Sequence, residues 1–181
     1  GLFGNYNLGW DYDIDKKNTL AASVRFGIRD FRNFQDVLTT ERFINGVLDQ
    51  STIADVASIQ NAHNVDANFT YTHYYDKPQR ELSFQGRFGR NNNNSNFENI
   101  YTGGTGSDFP LLDRLNENES FNQEVTVQVD YQTPIRDNQM VEFGGKNISR
   151  KVFSDFKSFE ASGADGAYIP STSSLFTNNL N

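Results

Sequence analysis

Along residues 5–29, apolar and polar side chains take turns. Tyr6, Leu8, Trp10, Tyr12 and Ile14 occupy one parity, and Asn5, Asn7, Gly9, Asp11 and Asp13 the other. After a polar break at Asp15-Lys16-Lys17-Asn18 the alternation resumes, with Leu20, Ala22, Val24, Phe26 and Ile28 against Thr19, Ser23, Arg25, Gly27 and Arg29. Successive side chains of a strand point to opposite faces, so each half predicts a two-faced strand and the break predicts a turn. Pairing Ile14 with Leu20 sets Tyr12 opposite Ala22, Trp10 opposite Val24 and Leu8 opposite Phe26. Every apolar side chain then lies on one side of an antiparallel hairpin.

The pattern recurs over about 63–89 and 120–150, and Asp15, Asp76 and Asp137 mark the breaks at a spacing of 61 residues. Around the second break, Phe69, Tyr71, Phe84 and Phe88 alternate with Asn68 and Arg87. Around the third, Val127, Val129, Tyr131 and Phe143 alternate with Glu124, Gln128, Asp130, Glu142 and Lys146. Pro78 and Pro134 sit in the later turns, as suits a residue without a backbone donor. The alternation also sets Tyr71 opposite Gly86 and Val127 opposite Gly145, where a large side chain covers a glycine.

Three connections, about 30–61, 90–119 and 152–181, lack that alternation and read as long loops. Within the first, Asn45-Gly46 between Phe43-Ile44 and Val47-Leu48 is a type I′ hairpin signal, which extends the flanking strands past the repeat. Ser51-Thr52 before Ile53, Val56 and Ala57 suggests one capped helical turn, and Pro110-Leu111-Leu112 another short helix.

The remaining composition removes whole classes of function. A net charge of −7 with no cluster of Lys and Arg argues against nucleic acid. Cysteine is absent, which excludes disulfides and thiolate metal sites. Gly1-Leu2-Phe3-Gly4 reads as the start of a strand rather than a secretion leader. No apolar run approaches the roughly 20 residues of a membrane helix, but membrane barrel strands need only about ten alternating residues each.

Short turns at one end and long loops at the other are the arrangement of an outer-membrane barrel. The fold expected is therefore all-β: antiparallel up-and-down hairpins forming part of an outer-membrane β-barrel. Tyr6, Leu8, Trp10, Tyr12, Leu20, Val24, Phe26, Phe69, Tyr71, Phe84, Phe88, Val127, Val129, Tyr131 and Phe143 would face lipid. Asp11, Arg25, Arg29, Asn68, Arg87, Glu124, Gln128, Asp130, Glu142 and Lys146 would face the lumen. There they would either order a plug as a structural charge ladder or guide a polar solute. Two other readings stand beside this one: a structural or assembly barrel without energised transport, and a secreted soluble β-sandwich that binds glycans through exposed aromatics.

The segments Leu8-Gly9-Trp10-Asp11-Tyr12, Val65-Asp66-Ala67-Asn68-Phe69-Thr70-Tyr71-Thr72-His73, Glu81-Leu82-Ser83-Phe84, Val127-Gln128-Val129-Asp130-Tyr131-Gln132-Thr133-Pro134 and Val141-Glu142-Phe143-Gly144-Gly145-Lys146 resemble the outer-membrane β-barrel family of TonB-dependent receptor-like proteins of Gram-negative bacteria. The resemblance implies a large barrel with an N-terminal plug, set in the cell outer membrane and energised through the TonB complex to import a nutrient. Against that pattern, residues 1–181 read as a single fragment of about six strands from a larger barrel, without plug, TonB-contacting box or terminal strand. Partners implied are outer-membrane lipid, the rest of the barrel and its plug, and a small polar substrate. The ligand would be selected in the loops, near Arg42, Asn92, Asn96, Tyr101 and Phe109.

No catalytic, metal or cofactor constellation emerges, so an enzyme is not expected. Asp11-Tyr12-Asp13-Ile14-Asp15 has the opening of a calcium loop, but Lys16 and Ala22 stand where that loop needs Gly and Glu. His63 and His73 share a face yet lie about 33 Å apart along a strand, too far to hold one metal. Gly-x-Ser-x-Gly does not occur, and Gly104-Thr105-Gly106 lies in a polar stretch rather than between a strand and a helix.

Overall fold

A computed structural model describes residues 1–106, 111–136, 139–162, 166–171 and 179–180. Six long strands follow one another: β1 (Leu2–Asp15), β2 (Asn18–Ile44), β3 (Val47–Tyr74), β4 (Glu81–Gly106), β5 (Leu112–Arg136) and β6 (Gln139–Ser162). Two short ones, β7 (Ile169–Pro170) and β8 (Asn179–Leu180), both pair with β6. Neighbours in sequence are neighbours in the sheet, and every pairing is antiparallel. The sheet is open: β1 and β6 do not meet among the described residues. The expected all-β, up-and-down architecture is therefore the observed one.

Local chemistry fixes the turns. At the end of β1 the Asp15 carboxylate accepts the Lys17 backbone N–H at 2.7 Å and the Asn18 side-chain amide at 2.8 Å, closing a tight Asx-type turn. Asn45 and Gly46 both take positive φ, 51° and 79°, the type I′ geometry that matches strand twist and explains glycine at that site. Between β3 and β4, Tyr75 and Lys77 exchange backbone hydrogen bonds with Arg80 around Pro78.

The register sorts the sequence onto two faces. Directly opposed residues share a face, and one row runs Trp10, Ala22, Phe69, Gly86, Val127, Asn147 across the six strands. The next row runs Tyr12, Leu20, Tyr71, Phe84, Val129, Gly145. All fifteen apolar residues named above fall on this face, and all ten polar ones on the other. The pairings inside each hairpin differ from expectation by two residues. Tyr12 faces Leu20, Trp10 faces Ala22, Leu8 faces Val24 and Tyr6 faces Phe26. The cause is the turn: Asp15 pairs with Asn18 directly, and a bulge absorbs Ile14. Likewise Gly86 lies between Phe69 and Val127, and Gly145 opposite Val129. A shift of two preserves the face, so the amphipathic pattern survives.

Larger corrections concern the presumed loops. Residues 31–44 and 47–61 are one continuous hairpin, and most of 90–119 and 152–162 is strand. Ser51, Thr52, Ile53, Val56 and Ala57 are extended rather than helical, as is Leu112. Ladder hydrogen bonds hold these stretches although their side chains do not alternate. The third connection does carry short pairing strands at its end, but Asp137 and Phe109 lie outside the described residues.

Among the described residues the sheet has no second layer. It exposes 12714 Å², where a compact chain of this mass would expose about 8,900 Å². Among the described residues the buried apolar ones are Ala54 and Ala161, and no large side chain is fully enclosed. A β-sandwich needs two sheets packed face to face, so that reading falls.

Candidate functional site

The polar face carries a ladder of charge in the lower half of the sheet. Arg87 Nη2 lies 3.4 Å from Asp66 Oδ1 across β3 and β4. Arg150 donates to Glu124 Oε2 through Nη2 at 2.6 Å and Nε at 3.2 Å, across β5 and β6. Asn68 donates to Ser23 Oγ at 3.3 Å, and Gln128 to Asp130 Oδ2 at 2.6 Å. Arg25 is opposite Asp66, and Asp11 shares a row with Gln128 and Lys146. Shallow open depressions lie along this wall, one bordered by Asp66, Arg87, Asn91 and Glu124. Arg29, farther up, faces Ala62, and Glu142 faces Gln132 near the lower end.

The apolar face ends at two rims. At the lower one, Tyr71 donates its hydroxyl proton to Asn18 Oδ1 at 2.6 Å, and His73 Nδ1 lies 2.7 Å from the same oxygen. Tyr75 packs edge-on against His73 and Tyr131, Tyr131 leans on Phe143, and Trp10 stacks on Tyr12 at 5.4 Å. Arg80 covers the Tyr75 ring. The turns below carry the Lys17–Asp76 ion pair and the hydrogen bond from Lys77 Nζ to the Pro134 carbonyl. Lys17 holds the Asp76 carboxyl below its usual pKa, and the Lys17 amide and Asn18 do the same for Asp15. At the upper rim, Phe121 stacks on Phe153 at 5.4 Å, and Arg90 lies 4.3 Å over the Phe121 ring. His63, opposite Ile28 and Asn92, has Nε2 3.6 Å from Asp30 Oδ1. Aromatic rings at two levels, with polar tips at the lower one, match the girdles of a membrane barrel. His63 and His73 are ten residues apart on β3, roughly 33 Å of strand. A barrel tilt of about 40° reduces this to roughly 25 Å of height, the thickness of the apolar band of such barrels.

The presumed ligand residues do not converge. Arg42 is on β2, ion-paired with Asp49, which bulges from β3. Asn92 and Asn96 lie on the apolar-face parity of β4, opposite Phe121 and Glu117. Tyr101 lies on the opposite parity, its N–H held at 2.7 Å by Asp113 Oδ1. From Asn92 to Tyr101 alone is about 30 Å of strand. Asp11 and Asp13 project from the polar parity of β1, while Asp15 is engaged by its turn. At the upper rim Phe121 continues the apolar parity of Val125, Val127 and Val129, whereas Arg90, Lys151 and Phe153 fall in or beside the stretches that read as loops. The signal available was the same parity count, extended one row past the last unbroken apolar run.

One amphipathic antiparallel sheet, apolar to membrane height on one face and ion-paired on the other, defines the wall of a transmembrane β-barrel. The chain belongs to the outer membrane protein β-barrel family, whose model matches residues 73–181. Membership assigns it to the outer membrane, and hence to a Gram-negative cell. No curated protein and no solved structure matches the chain.

Proposed function

We propose that this chain forms wall and outer strands of a TonB-dependent outer-membrane receptor that imports a small polar solute. The observation that carries the reading is the paired charge ladder, Asp66–Arg87 and Glu124–Arg150, at the same depth as the apolar rows. Ion pairs at membrane depth are stable only where they meet water or polar protein, so that face lines a lumen or receives a plug. The apolar face then meets lipid, and the strand patterns that resemble TonB-dependent receptors supply the energised part of the reading. No catalytic set is assigned to it.

The test is uptake by cells. Deletion of the protein and deletion of TonB are each expected to abolish accumulation of the same solute, screened among nutrients that rescue growth. Uptake that persists without TonB would overturn energised import and leave a passive or structural barrel.

A further inference from the structure

The upper rim of the apolar face holds two cations, Arg90 on β4 and Lys151 on β6, in one row with Gln123 of β5 between them. Both approach the Phe121 ring, Arg90 at 4.3 Å and Lys151 at 5.8 Å. Arg90 is held by two neutral partners: Nε donates to Asn92 Oδ1 at 2.9 Å and Nη1 to Gln123 Oε1 at 3.4 Å. Neither cation has a carboxylate partner among the described residues. On the polar face, Arg87 and Arg150, immediate neighbours in depth, both do. Directly below, β3, β4 and β5 form an apolar depression lined by Ala67, Phe69, Gly86, Phe88, Val125 and Val127. Its floor is Gly86, around which no atom stands within 4 Å of where a Cβ would sit. Gly86 and Arg90 are four residues apart on one strand, about 13 Å.

We infer that Arg90, Lys151 and the depression over Gly86 form a binding site for a phosphate-bearing lipid of the outer leaflet. The cations take the phosphate and the depression takes an acyl chain. The inference rests on the proposed contact between the apolar face and lipid. Phe121 and Phe153 supply a rigid platform that keeps the cationic groups at the rim, and Asn92 and Gln123 orient the guanidinium while leaving its charge uncompensated. Charge on this face is otherwise absent from the rows between the rims, so an anion is favoured at this height and not lower. Carboxylates return two rows up on this face, at Glu119 and Asp155.

The experiment is native mass spectrometry of the full-length protein, titrated with lipid A and with a phosphate-free diacylglycerol of matched chain length. Wild type is expected to retain lipid A selectively. Arg90→Gln with Lys151→Gln should weaken retention by roughly thirtyfold, about fivefold per cation. Lys151→Gln alone, at an exposed side chain, should give the single step, Arg90→Lys with Lys151→Arg should restore binding, and Gly86→Leu should weaken chain binding without removing the phosphate preference. Equal retention of both lipids, no effect of the Gln variants, or displacement by inorganic phosphate would each overturn the site. Spin labels at Leu8→Cys and Val127→Cys in membranes test the underlying reading separately. Contact with oxygen but not with a water-soluble nickel chelate supports lipid contact; the reverse overturns lipid contact and the site together.

Discussion

Below the level of Phe26 and Val65 the sheet sorts its side chains by face; above it the strands do not. In the lower half, the rows from Leu20 and Tyr71 up to Val24 and Ala67 are mainly apolar on one face and mainly polar on the other, and the row of Arg90, Gln123 and Lys151 ends that pattern. Above, the outer-parity row is polar on β2 to β6, at Asp30, Asn61, Asn94, Glu119 and Asp155, with Leu2 beside it on β1, while Phe31 and Phe156 appear on the parity that was polar below. The backbone ladder runs through both halves, with bulges near Val37, Asp49 and Thr102 in the upper one. On the proposed orientation what changes is the solvent: two media enforce alternation, and a single aqueous medium does not. The upper half substitutes small enclosed polar contacts, among them Asp113, 3% exposed, and the buried Ser158, which donates to Asn116 at 2.8 Å.

That contrast can be broken by moving charge. Val127→Arg, in the middle of the apolar rows, should cost about 2–4 kcal/mol in denaturant unfolding from bilayers. Asn96→Arg, the same kind of change one region higher on the same parity, should stay within about 0.5 kcal/mol. Equal costs would end the distinction. Asp113→Ala should release the Tyr101 amide and cost about 1–3 kcal/mol, seen as faster amide exchange confined to the upper halves of β4 and β5. Val37 stands at φ 57° in a bulge, its N–H held by Asp55 Oδ1 at 2.9 Å, and a β-branched residue is strained there. Val37→Gly should therefore stabilise the upper hairpin by about 1 kcal/mol, measured by exchange of its amides. The smallest effect is a titration. Burial, and then the Glu98 carboxylate accepting its proton at 3.0 Å, push the Tyr168 hydroxyl up to about 12. An unfolded tyrosine ionises near pH 10, so docking of the 166–171 segment is complete below that pH. It is lost as pH rises to about 12, and Tyr168→Phe removes this dependence. Tyrosinate absorbance follows it directly.

The difference between the halves also decides what the sequence makes legible. Faces were readable wherever two media write them: Tyr6, Phe26, Phe69 and Val129 all fall as their parity requires. Pair register was not, because a shift of two leaves parity intact and depends on a turn whose tightness comes from one carboxylate, Asp15. The upper strands were hidden for a different reason. Asn91, Asn92, Asn93 and Asn94 have no period, and the main-chain ladder on both sides keeps them extended. Asn45-Gly46 was the exception, a turn set by backbone conformation rather than by surroundings. Of the site, the polar ladder was visible as mixed charge on one parity. The rim cations were not, since their meaning depends on Phe121 and Phe153 lying on adjacent strands.

The Asn45-Gly46 turn has a spatial consequence. It caps two strands that run sixteen residues past Ile28, roughly 50 Å of ribbon. On the proposed orientation this hairpin is a mast raised above the cell surface. A phage tail or an antibody would meet its tip long before anything large could reach the membrane wall, which makes that tip the natural place to graft a reporter peptide.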